Sequence, residues 1–443
     1  MQLSKNKKHQ YLFFLIFSLY VVFNGGNSNI LIQINFILIS LLFIYCIKDK
    51  NYYSHFKFFY TKNKLSIFFY FLFLLYLIFQ IIPLPIEYLK SLSSFKYDYI
   101  SKLSNDILFS SISLSPSNSF FQILNFISLL IFVFVLKMIF YTNRHKERLY
   151  LFLSFIGFFS AVFAILIYLN GNPNFLFIQN SHYINSSTGL FINRTVFAVF
   201  LLFCLIASLE ILKNLDKKKN SISKDSFFFK IYIRLFIIFI AIGIITSFSR
   251  IGNFLLLVTI LSYLISEFFF VKKKNKSFIN IILLIIFFDI IILGFYFGSL
   301  QLFDRFYFLK EELLKTSSLE DNLNRIQIIK FGLAQLLNFS FYGYGPGSFE
   351  TLFKINYNSL NFSYANHAHS DLIEFMGEFG FIGFVLLIIS LTKFFVYKMN
   401  YNLVNLILIN YLITLLMFDF SLHIPLIQIN FVIFFILNKK IIQ

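Results

Sequence analysis

Apolar residues run along this chain in long blocks separated by short polar connections. Blocks of near-spanning length lie at 10–24, 29–47, 65–82, 119–141, 149–169, 191–212, 230–248, 251–271, 278–297, 379–397, 402–418 and 423–438. A helix that crosses a bilayer needs about 20 mainly apolar residues, so the pattern predicts about twelve spans, the first and the last two short. The polar connections alternate in charge. With the N-terminus on one side, that side receives 48–64, 142–148, 213–229, 272–276, the 398–401 stretch and the Asn438–Lys440 tail, which hold nearly every dense Lys/Arg cluster. The other side receives 25–28, 83–118, 170–190, the turn near Arg250, the long 298–378 segment and the turn near Asp419, all poorer in Lys/Arg for their length. Basic loops stay cytoplasmic, so both termini are expected there. The expected fold is an all-α integral membrane protein. Residues 1–443 form one polytopic domain of about 12 transmembrane helices, with a long, partly helical periplasmic loop (298–378) between helices 9 and 10.

Composition supports the membrane reading. Of 443 residues 58% are hydrophobic and 13% charged, against roughly 25% charged in soluble domains. A formal charge of +18 elsewhere suggests nucleic acid. Here the basic residues sit in loops between apolar runs, which the orientation rule explains and which leaves no reason for a nucleic-acid partner. Cys46 and Cys204 both lie in apolar runs and suggest neither a disulfide framework nor a metal site. The basic start followed by the apolar run from Tyr11 to Phe23 lacks a small-residue cleavage site and reads as a retained first helix.

Candidate chemistry gathers in one place. The segment from Tyr342 to Gly383 packs glycines, two histidines and several carboxylates into a chain that is otherwise nearly all apolar. Such backbone is tolerated at membrane depth only where it faces water or protein. Upstream, Ser318 and Asp321 form an S-x-x-D helix start. Asn322 to Leu337 then carries Ile326, Ile329 and Leu333 at helical spacing, as a helix lying on a membrane surface would. Gly343, Gly345, Pro346 and Gly347 predict a tight turn, and a second short helix is expected from Ser370, with Asp371 and Glu374 as anions in its first turn. In an extended stretch His367 and His369 would face one cavity beside Asp371 and could accept a proton. They read equally as hydrogen-bonded loop residues, and H-x-H-x-D also resembles the start of a metal-hydrolase motif, although Leu372 stands where that motif has another histidine. Arg250, in SFSRIGN, sits at a hairpin tip; Arg194 and Arg325 raise the same choice between snorkelling and gripping a lipid phosphate.

Together GLFINRTVFAVF (189–200), SFSRIGN (247–253), the helix led by Arg325 into YGYGPGSF, and HAHSDLIEFMGEFGFIG resemble, in order and spacing, the O-antigen ligase and polymerase family. FDFSLHIPLIQ (418–428) is similar to that family's last outside turn, and the likeness covers about residues 150–430. The family has Asn and His where this chain has Thr195 and Val196, and its H-x-H-N reads H-x-H-S here, with Ser370. The resemblance implies a bacterial inner-membrane enzyme that transfers glycan at the periplasmic face. The donor would be an undecaprenyl-diphosphate-linked glycan; the acceptor would be an acceptor glycan, lipid A-core or protein hydroxyl. It implies His369 as base with His367 beside it, Arg250, Arg325 and Arg194 on the diphosphate, inversion at the anomeric centre, and neither metal nor cofactor. A polysaccharide transporter or flippase is the alternative; such proteins line a path with charges inside the bundle, which these runs, Asp289 apart, nearly lack.

Overall fold

A computed structural model describes residues 2–103, 107–173, 183, 185–217, 224–271, 276–288, 291–292, 325–339, 341–357, 365–392 and 402–438. The chain runs α1 (Gln2–Val22), α2 (Asn29–Ile47), α3 (Lys50–Lys62), α4 (Lys64–Ile81), α5 (Ile86–Leu92), α6 (Ser94–Leu103), α7 (Pro116–Ile139) and α8 (Asn143–Leu169). It continues with α9 (Arg194–Lys217), α10 (Lys224–Thr246), α11 (Arg250–Ile265), α12 (Lys276–Phe288), α13 (Arg325–Asn338) and α14 (Phe349–Asn356). The last helices are α15 (Asp371–Leu391), α16 (Leu403–Phe418) and α17 (Pro425–Leu437). A two-residue antiparallel pair, β1 (Leu84–Pro85) with β2 (Phe109–Ser110), is the sole strand pairing among the described residues.

Each of the twelve expected runs meets a helix. Among the described residues eight helices can cross a membrane by length and composition: α2, α4, α7, α8, α9, α10, α11 extended to Phe270, and α15. The shorter α12, α16 and α17 are apolar as well. The protein is therefore a multi-pass helical membrane protein. Helix α9 is the axis of the bundle and is almost wholly buried, because it is apolar all round. It packs on α8, α10, α11 and α17, and small residues allow close approach: a Cβ on Gly157 would lie 2.4 Å from that of Cys204.

Side chains sort to two ends. At one, Arg148 donates to Gln10 Oε1 (3.1 Å), and Lys146 to Leu437 O (3.2 Å) and Asn438 Oδ1 (2.7 Å). The connections of this end are those rich in Lys/Arg. At the other, Ile192 N donates to Asn24 Oδ1 (2.9 Å), Gly25 lies against Ile424, and Thr195 and Ser249 hydroxyls are 3.1 Å apart. The segment 83–118, which carries no chemical signal, proves to be scaffold at this second end. Leu114 N donates to Tyr344 O (2.9 Å), Ser115 N to Ser348 Oγ (3.1 Å) and Ser119 Oγ to Pro346 O (2.8 Å). Beneath them buried Lys96 donates to Ser113 O.

Candidate active site

The glycine turn forms first. Gly343, Gly345 and Gly347 have φ of 71°, 92° and 68°, a region closed to most residues with a Cβ. The turn lies on a break in α15, where Gly380 has φ 61° and ψ −179°. Tyr344 N and Gly345 N donate to the Gly377 and Glu378 carbonyls (3.0 Å each), and Gly347 N donates to Glu378 Oε1 (2.7 Å). From α4, Gln80 Nε2 reaches Tyr342 O (2.6 Å) and Glu378 O (3.0 Å). The short helix expected from Ser370 and the span expected from about 379 are both present as helical pieces within Asp371–Leu391, divided at the break at Gly380, where the turn takes up the Gly377 and Glu378 carbonyls.

The start of α15 then docks on the turn between α16 and α17. Asp371 N donates to Asp419 O (2.9 Å), Leu422 N to Asp371 Oδ2 (2.8 Å), and Ser370 Oγ to Leu416 O (3.1 Å). Asp371 and Glu374 lie in the first turn of α15, as expected, and both are buried, as is Glu378 further along. Their counter-charge is His423. Its Nδ1 hydrogen-bonds Asp371 Oδ1, and its Nε2 faces Glu374 Oε1 at 3.4 Å and Glu378 Oε2 at 3.7 Å. Phe375 stacks on the His423 ring (4.4 Å between centroids). Burial pulls the His423 pKa down, but Glu374 and Asp371 outweigh it and hold the imidazolium well above the ordinary range.

His367 and His369 do meet at one place. The His367 ring stacks on Phe420 (4.7 Å, 11° between planes), and His369 meets the same ring edge-on (5.3 Å, 70°). The expected extended backbone is not what brings them together: His369 has φ 57°. The oxygens of Asp371 are taken by Leu422 N and His423. Glu374 holds His367 Nδ1 (2.9 Å) and takes the Ala368 N–H on its other oxygen (2.7 Å). His369 Nδ1 is buried without a hydrogen-bond partner among the described residues. Burial, then the charge of Arg325, lowers the His369 pKa to about 4, so the ring is neutral at working pH. Asp419 is raised to about 6 by burial, against the Ser421 hydroxyl and Arg325, which favour its anion.

The arginines form two groups. Arg325, the first described residue of α13, acts on His369 and Asp419. Arg194 and Arg250 open α9 and α11, and the hydroxyl contact between Thr195 and Ser249 ties those helix starts together. Arg194 also lies over the Tyr183 ring (5.2 Å). Ser249 caps α11 by accepting from Gly252 N (3.1 Å), which aims the backbone N–H groups beside Arg250 out of the bundle end. Both groups occupy the end that carries the histidines. Ser318, Asp321 and Asp289 lie outside the described residues.

His423, Glu374 and Glu378 were not singled out as site residues by the sequence reading. A signal existed: 371, 374 and 378 share one face of an otherwise apolar helix, and buried carboxylates demand a cation. His367, Glu374 and His423 also bring one ligand atom each within 4.8 Å of one another, a spacing that could hold a metal ion.

Residues 235–388 match the family model for O-antigen ligase. This segment is similar to the O-antigen ligase family. The match runs from α10 through most of α15, and so includes Arg250, Arg325, His367, His369 and the three buried carboxylates, with Arg194 and His423 outside it. A search of curated proteins finds no match to the chain. The O-antigen ligase segment marks the chain as an enzyme of glycan transfer, of ligase or polymerase type, acting on a lipid-linked glycan and an acceptor.

Proposed function

We propose that the chain transfers glycan from an undecaprenyl-diphosphate-linked donor to an acceptor hydroxyl, without metal and with inversion. The site end faces the periplasm, and the chain lies in the bacterial inner membrane with both termini cytoplasmic. The observation that carries this reading is the meeting of His367 and His369 on Phe420 with the Arg325 charge beside them. In this reading the acceptor oxygen attacks the anomeric carbon opposite the diphosphate. One C–O bond forms while the bond to the diphosphate breaks. The hydroxyl proton passes to His369, and the departing diphosphate takes the bonding pair, its charge met by Arg325, Arg250 and Arg194. A weak base suffices, because a hydroxyl already bonding to an electron-poor carbon is strongly acidic. His367, oriented by Glu374, positions the acceptor.

The test is transfer by the purified full-length chain from a lipid-diphosphate-linked glycan, in excess EDTA. Transfer should persist, because guanidiniums rather than an ion stabilise the leaving group. Loss in EDTA with recovery on Zn²⁺ or Mg²⁺ would turn His367, Glu374 and His423 into ligands. Arg250→Ala and Arg325→Ala should each abolish transfer while the protein still inserts. Arg250→Lys should also be poor, since a point charge does not reproduce a bidentate grip. Full activity in Arg250→Ala would leave that residue a snorkelling role only.

A further inference from the structure

A second binding feature lies at the opposite, basic end. Helices α1, α8 and α10 each present two turns of one face to a shared groove of about 600 Å³. The residues recur at helical spacing: Lys7, Gln10 and Phe14 on α1; Arg148, Phe152 and Phe155 on α8; and a matching stripe from Phe229 to Phe236 on α10. All three helices run away from the basic end, so the groove has a direction. Its mouth carries Lys7 and Arg148, and Arg148 is steadied by its hydrogen bond to Gln10 (3.1 Å). About 10 Å deeper, seven residues along each helix, its walls are aromatic. There Phe14 stacks on Phe152 (4.3 Å). Among the described residues no carboxylate lines the groove; the neighbouring Glu147 turns to a different cavity, with Glu210.

A cationic mouth above an apolar, aromatic floor, set in the side of a bundle of membrane helices, fits an amphiphile with an anionic head. We propose that this groove binds an anionic phospholipid from the leaflet at the basic end. The phosphate would sit between Lys7 and Arg148, and an acyl chain would lie along Phe14, Phe152 and Phe236. A soluble phosphate compound has no use for the deep aromatic wall, and a zwitterionic lipid has no net charge for the mouth.

Native mass spectrometry of the delipidated full-length chain tests this, with phosphatidylglycerol, phosphatidylcholine of the same acyl chains, and inorganic phosphate as probes. Phosphatidylglycerol should bind preferentially, roughly fivefold for each basic residue at the mouth. Lys7→Gln with Arg148→Gln should reduce it to the phosphatidylcholine level, Arg148→Lys should retain most of the preference, and Lys57→Gln, an exposed control outside the groove at the same end, should not change it. Equal binding of the two lipids by the unaltered chain overturns the proposal without any variant. So does a preference that survives the double substitution. Inorganic phosphate binding as tightly as the lipid would also overturn it, by making the mouth a plain anion site.

Discussion

At the residue scale the two histidines differ in what the protein does to each. Glu374 occupies one nitrogen of His367, whereas His369 keeps a buried Nδ1 with no hydrogen-bond partner among the described residues, on a backbone at positive φ. Strain and an unpaired buried group are costs that a merely structural histidine would have no reason to carry. His369→Ala should therefore lower turnover by about 10²- to 10⁴-fold with donor binding nearly intact, and His367→Ala should cost less. The pH profile separates them further. A base must be neutral to work, so the His369 reading expects activity to persist through mildly acid pH and to fall only toward about 4. An acid limb in the ordinary imidazole range, together with a dead His367→Ala, would transfer the role to His367. His423 has the reverse sign. Its folded pKa lies above the unfolded value of roughly 6.5, so its stabilising charge is complete below that value and fades as pH rises through the folded one. His423→Gln should cost about 3–5 kcal/mol by leaving buried carboxylates uncompensated. Thermal melts should show that loss, and the variant should lose the alkaline-side slope of the parent.

At the element scale the fold turns on the contact between the glycine turn and the break in α15. A Cβ on Gly343 would stand 2.3 Å from Glu378 O and 2.6 Å from Gly380 N, both backbone atoms with nowhere to go. Gly343→Ala should destabilise by about 1–3 kcal/mol in backbone strain, with the clash added to it. Gly171→Ala is the control: φ is +80° there too, but no described residue lies within 4 Å. A clearly larger drop in melting temperature for Gly343→Ala is expected; equal drops would mean that the turn is not clasped on α15. This contact also explains what the sequence did and did not disclose. The positions of the twelve apolar runs were legible because length and hydropathy alone dictate them. The turn was legible because its glycines cluster. Its partner was not: nothing in the order of residues says that Gly343 and Gly380 meet, or that Ser113, Ser119 and Ser348 assemble beneath the turn. His423 was hidden for the same reason, since it enters the site through the docking of α16 and α17 on α15.

At the scale of the whole molecule the two ends have distinct chemistry, and the proposed orientation rests on it. Basic connections gather at the end of Lys146 and Arg148, and the histidines and site arginines at the other. The native cysteines, Cys46 and Cys204, are buried, so an added cysteine reports by itself. A membrane-impermeant maleimide applied outside the inner membrane should label Lys354→Cys, exposed on α14, and spare Ser54→Cys, exposed on α3. The opposite labelling would put the site in the cytoplasm and remove the proposed donor from reach.

The His423 imidazolium carries a consequence for how the protein is made. It stands 52 residues after Asp371, the carboxylate it holds. A ribosome finishes the histidine motif and passes α15 to the membrane well before it finishes the turn that brings His423 to the acids of that helix. During that interval Asp371, Glu374 and Glu378 have no His423 beside them. Burying three charges unpaired is prohibitive, so they must stay protonated or linger near water. Insertion of the α16–α17 hairpin is then the step that brings a cation to these carboxylates: a nascent chain arrested before residue 423 would hold both motif histidines without it.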